Sequence, residues 1–243
     1  MSQGAQRGSS GLSGAEATLA LARLALVRAI RGRALWITAA LALLPVIVVS
    51  VRVGLGHDHD DVWRTAFELT LLTLPIVPSI LIGPSLADEL EDKTSAYLWS
   101  RALPRWTIIT GKLVGLAPIA AAILIVALSV SWMVIGGPAA VPVGVAIGGL
   151  VGVGAAALTG SAMVAGLSTL LPRHAVAVSV VWLLFVDSSI GALPLKLRYL
   201  SISFGGRTLA GFTDVGLAAG TITLVALAGV GVAIAVVRIA RME

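Results

Sequence analysis

Four carboxylates fall within five residues at Asp88, Glu89, Glu91 and Asp92, and Lys93, Thr94, Tyr97, Leu98, Trp99, Arg101, Pro104, Arg105, Gly111 and Lys112 follow closely. Acids, bases and aromatics in this order suit recognition better than catalysis. Charge fixes register at an interface, and a short apolar patch anchors it. No histidine lies nearby to move a proton. Gly111-Lys112 is not a phosphate loop, because no glycine stands five residues before Gly111 and leucine follows the lysine. ATP hydrolysis by this chain is therefore not expected. Neither a zinc-protease HExxH nor a cysteine nucleophile is present, as the chain has no cysteine. We expect no catalytic residues, no metal ligands and no cofactor bound by the chain itself, which is read as not an enzyme.

Three further clusters could do chemistry. His57, Asp58, His59, Asp60 and Asp61 alternate imidazole with carboxylate, a donor set that could take a transition metal. All five sit in one short hydrophilic turn, so an acidic turn is the expected reading, with no metal. Glu68 and Asp187 are acids within apolar segments. A charge in lipid is costly, so each should face protein or an aqueous cavity. Glu68 either pairs with Arg64, one turn earlier, or lines a transport path. Asp187, followed by Ser188 and Ser189, either ends a helix or contacts substrate.

The elements that position these residues are membrane spans. Hydrophobic residues make up 58% of the chain and charged residues 12%, with a mean hydropathy of +1.00. Soluble domains carry about 25% charged residues. About 20 apolar residues cross a bilayer as a helix, and continuous apolar runs without alternation argue against a barrel. Six spans are expected, near 34–53, 62–86, 107–135, 141–171, 175–193 and 215–237. The expected fold is all-α, with residues 1–14 as a disordered tail and residues 15–243 as one transmembrane domain. No cleaved signal peptide is expected.

Between the tail and the first span, residues 15–33 read as an amphipathic helix. Leu19, Ala22, Leu26 and Ile30 take one face, and Arg23, Arg28 and Arg31 lie largely on the other. Such a helix suits the membrane interface. The basic pI of about 10.4 reflects this arginine fringe near anionic headgroups rather than nucleic acid. Arg23, Arg28, Arg31, Arg33, Lys93, Arg101, Arg105, Lys112, Arg173, Arg238 and Arg241 all fall on one side if the spans are even in number. Positive charge marks the cytoplasmic side, so both termini are expected there. Lys196, Arg198 and Arg207 fall on the other side, against the trend.

Gly144, Gly148, Gly152, Ala156 and Gly160 recur every four residues in the fourth span. They form a small-residue ridge for close helix packing, within one subunit or in a dimer. After Pro194, the stretch to Asp214 is too polar to span. It fits short interfacial or re-entrant helices broken at Gly205-Gly206.

The 87–112 stretch resembles the cytoplasmic loop of ABC-2 type permeases, whose usual form is roughly DExxxGTxxxLLxxPxSRxxxxxGK. Asp88-Glu89, Thr94, Leu98, Ser100-Arg101, Pro104-Arg105 and Gly111-Lys112 carry the likeness, and Lys93 stands where the family has glycine. The resemblance implies the transmembrane subunit of an ABC exporter, homodimeric, in the plasma (inner) membrane. It also implies two copies of a separate ATPase subunit holding ATP and Mg, and a coupling helix at about 91–101 that docks on that ATPase. A proton-coupled secondary transporter using Glu68 or Asp187, and a non-transporting membrane scaffold for a cytosolic partner, are the alternative readings. Substrate identity is not legible.

Overall fold

In the computed structural model, residues 14–91, 106–194 and 196–241 are described, and those in regular structure are helical. The N-terminal helix α1 (Gly14–Arg31) is followed by α2 (Arg33–Ala42) and α3 (Leu44–Gly54). Next come α4 (His59–Thr73), α5 (Ile76–Glu91), α6 (Trp106–Ile135) and α7 (Val143–Leu170). The chain continues through α8 (Ala175–Val181), a π-helical segment (Trp182–Asp187) and α9 (Ser188–Ala192). A 3-10 turn (Lys196–Leu200), α10 (Ile202–Leu209) and α11 (Leu217–Ala240) complete it.

Six of these stretches are long and apolar enough to cross a membrane: Arg33–Gly54, His59–Leu86, Trp106–Ile135, Val143–Leu170, Pro172–Ala192 and Leu217–Ala240. The protein is a multi-pass membrane protein. The expected spans match these to within a few residues.

Prolines divide the spans where the sequence dictates. Pro45 stands at the start of α3, where it has no amide for the carbonyl one turn back, so α2 ends and α3 restarts. Pro75 separates α4 from α5 in the same way. Gly136 (φ 125°) and Gly137 (φ 59°) make the turn from α6 to α7 in backbone conformations that side chains disfavour.

The fourth span, α7, is the centre of the bundle. Ala156, Ala157, Val164 and Ala165 are all fully buried, and α7 packs on α11, α6, α10, α5 and α8. The second span supplies the bulky complement, with Trp63, Phe67, Val77 and Ile82 buried. Small residues on one helix set against large ones on its neighbour give a dense interior, and the buried Thr70, Ser79, Ser161 and Ser168 there bond back to carbonyls of their own spans. The first, fifth and sixth spans keep most of their surface outward.

Candidate functional site

The charged island begins on α5. Asp88, Glu89 and Glu91 lie in its last turns, and Asp92, Lys93, Thr94, Tyr97, Leu98, Trp99, Arg101, Pro104 and Arg105 fall outside the described residues. The island's far border, Gly111-Lys112, is well placed within α6. Lys112 is buried and its ammonium donates to the Ser85 carbonyl of α5, tying the helix that enters the island to the helix that leaves it.

Gly111 lets α1 approach: a Cβ there would lie 2.8 Å from Leu21 Cβ and 3.0 Å from the Thr18 carbonyl. One turn on, a Cβ at Gly115 would meet the Ala22 carbonyl at 2.6 Å. Backbone-to-backbone contact therefore welds α1 to α6 beside the island. The sequence reading paired Gly111 with the loop, and the structure gives it a packing task as well.

The two acids within the spans converge on α10. Asp187 is buried and accepts from Ile202 N (2.7 Å), Ser203 N (3.0 Å), Ser203 Oγ (2.7 Å) and Ser201 Oγ (3.2 Å). Ser201 Oγ in turn accepts from Phe204 N at 3.2 Å. The first three amides of α10 are thus satisfied, two by a carboxylate from another span, and the negative charge sits at the positive end of the helix. The π-helical segment ending at Asp187 adds a residue to its turn, which helps aim this side chain at α10. Asp187 does not end its own helix, since α9 runs on from Ser188.

Glu68 meets the other end of α10. Its two oxygens accept from Arg207 Nε and Arg207 Nη2, both at 2.7 Å, in a bidentate pair. The Arg207 guanidinium is held above its ordinary value, first by the hydrogen bond to Glu68, with burial opposing and the charges of Glu68 and Asp187 adding. The sequence expectation of an Arg64 partner is corrected. Arg64 instead lies over the Phe212 ring at 5.7 Å, while Phe212 packs edge-on against Phe67 at 4.8 Å.

Nothing in the spacing of Glu68 and Arg207 could announce a pair 139 residues apart. One signal was available: Lys196, Arg198 and Arg207 break the charge asymmetry, and two of them have local work. Arg198 stacks over the rings of Phe204 (4.9 Å) and Tyr199 (5.7 Å).

Most of the small-residue ridge serves α10 as well. A Cβ at Gly152 would lie 2.4 Å from the Gly206 carbonyl, and one at Gly148 would lie 3.4 Å from the Ala210 carbonyl. Ala156 Cβ would meet a Cβ at Gly206 at 3.2 Å. Gly160 faces Leu74, and Gly144 has open space around it. Packing along the ridge is therefore within the subunit from Gly148 to Gly160. Gly205-Gly206 does not break the helix, contrary to expectation. Both glycines lie inside α10, where Gly206 admits α7 and Gly205 admits Leu224 of α11, and the chain turns instead at Gly211 (φ 79°).

The histidine-carboxylate turn is taken up locally. Asp58 caps α4 by accepting from Asp60 N at 3.2 Å, and Asp61 pairs with Arg52 at 2.7 Å. Arg52 also donates to Thr65 Oγ1, which fastens the first span to the second. Among the described residues, no group of three metal-ligating side chains comes together. Beside α10, an open cleft of about 560 Å³ is bordered by Asp60, Arg64, Gly148 and Phe212.

Compared with known proteins, the chain matches no family model and no curated relative.

Proposed function

We propose that this chain is the membrane-spanning subunit of an ATP-driven ABC exporter of the ABC-2 type. Hydrolysis takes place on two copies of a separate ATPase, which hold the ATP and Mg, and transport occurs along a path between two copies of this chain. The observation that carries the reading is the charged, aromatic-bearing island between the second and third spans. An ordinary loop between spans needs neither four clustered acids nor a Tyr97-Leu98-Trp99 anchor.

The surroundings of the island support it. Closure of ATPase subunits can move a bundle only through a rigid contact, and the Lys112 tether to Ser85 together with the α1 weld at Gly111 and Gly115 gives the island a stiff base. In this reading six spans put both termini and the island on one side, the arginine fringe supports that side being the cytoplasm, and the membrane is the plasma (inner) membrane. In this reading α1 lies in the cytoplasmic interface and α10 is a short re-entrant helix on the outer side. Glu68 and Asp187 are engaged with donors of α10, which supports a structural task for them over proton carrying.

Affinity purification of the tagged chain in mild detergent, followed by mass spectrometry, tests the proposal. A stoichiometric ABC ATPase is expected. Replacing Tyr97, Leu98 and Trp99 together by alanine should release that ATPase while membrane insertion persists. Recovery of the chain alone, under conditions that preserve other complexes, would point to a secondary carrier, and partner binding without transport would point to a scaffold.

A further inference from the structure

Between α1, the first span and the third span runs a groove of about 830 Å³. Its depth comes from small residues: Ala39 and Ala42 on α2, and Gly115, Ala122 and Ala127 on α6, where larger side chains would fill it. α1 contributes Leu19, Ala22, Arg23, Leu26 and Ile30, which corrects the expected division of this helix: Arg23 shares the face of Leu19, Leu26 and Ile30 instead of opposing it. Arg23 is the one charged residue in this lining. It is exposed and, among the described residues, makes no hydrogen bond or ion pair.

The groove has a direction. The first and third spans enter the membrane from the same face, because a single span separates them, and α1 leads directly into the first. Arg23 follows Ala22, which packs on Gly115 near the entry end of α6. From there the lining runs inward from Val114 to Val126, twelve residues or about 18 Å of helix, against about 15 Å for one leaflet of a hydrocarbon core. Its length is that of one acyl chain, and its charge lies at the headgroup end. Arg28, Arg31 and Arg33 are exposed as well, with Arg28 and Arg33 bordering a separate pocket toward α5.

We propose that the groove is a site for an anionic phospholipid of this leaflet, with an acyl chain along Ala39, Ala42, Ala122 and Val126 and the phosphate on Arg23. The proposal rests on the chain being a membrane protein and is independent of the exporter reading. The tail alone confers little selectivity, since surrounding lipid is as apolar as the groove. Discrimination comes from the cation, and one arginine at a membrane surface favours an anionic headgroup by about fivefold.

Native mass spectrometry of the full-length chain, offered equal amounts of phosphatidylglycerol and phosphatidylcholine with identical acyl chains, tests this. The expected result is one retained lipid per chain with about a fivefold preference for phosphatidylglycerol. Arg23→Gln should abolish the preference and Arg23→Lys should keep it. Ala122→Leu, at an exposed groove position, should lower retention of both lipids. The preference is a ratio within one sample and does not depend on yield. Equal retention by the unaltered chain, a preference that survives Arg23→Gln, or retention of both lipids unchanged by Ala122→Leu would overturn the proposal. So would an interchain disulfide formed by Ala122→Cys in vesicles of the two lipids, because the chain has no other cysteine and the groove would then be covered by a second copy.

Discussion

Asp187 concentrates more hydrogen bonding than any other side chain among the described residues, and its loss should be felt accordingly. Asp187→Ala strands two buried amides and two hydroxyls, each stranded donor costing about 1–3 kcal/mol before relaxation. We expect a net loss of about 3 kcal/mol, seen as a clear fall in thermal stability in detergent. Asp187→Asn, which keeps the shape and loses the charge, should cost roughly half of that. An unchanged melting temperature for the alanine variant would refute the capping role. The Glu68–Arg207 pair is half-exposed, so a double-mutant cycle should return a coupling of about 0.5–1 kcal/mol, at the upper end for surface pairs because the geometry is bidentate. Arg207's raised value keeps its share of this stability complete below the ordinary guanidinium value. That share is lost only as pH rises through the raised one, far above physiological pH.

At the scale of elements, α10 is a short helix held from three sides. The fifth span holds its start through Asp187, the second holds its end through Glu68, and the fourth receives its flank at Gly152 and Ala156. Gly152→Ala should push α10 away from α7, because a new Cβ would sit 2.4 Å from a backbone carbonyl. A loss of about 1–3 kcal/mol is expected from such overpacking. Gly144→Ala, on the same ridge but with nothing within 4 Å, should be neutral or slightly stabilising through helix propensity. Equal effects at the two positions would show that the ridge does not discriminate contacts as described. The α7–α11 crossing makes the same point: a Cβ at Gly231 would meet the Ala162 carbonyl at 2.5 Å, so the two helices touch through their backbones.

At the scale of the whole molecule, six spans fix the parity of the chain. If all six cross, as the proposed reading has it, both ends and the 87–112 island share one side of the membrane. Because the chain has no cysteine, single cysteines at Ser10, Ser95 and Gly216 can be labelled one at a time with an impermeant maleimide on intact cells. Ser10 and Ser95 should be protected alike and Gly216 should be labelled. Opposite behaviour of Ser10 and Ser95 would break the six-span topology.

The sequence by itself determined the number and limits of the spans, because runs of about twenty mostly apolar residues are long enough to cross a bilayer and too hydrophobic for water, and that property is local. It also determined where the island lies, since charge density needs no neighbours to be read. Only the tertiary structure decided which residues the two intramembrane acids serve. Arg64 was the near partner of Glu68 by spacing, yet a helix 139 residues away brings Arg207 to it, and a bond across that distance leaves no periodic trace in the chain. The glycines show the same division. Their spacing announced a close contact, but whether Gly205-Gly206 breaks a helix or admits one depends on what stands opposite, and α7 and α11 stand there.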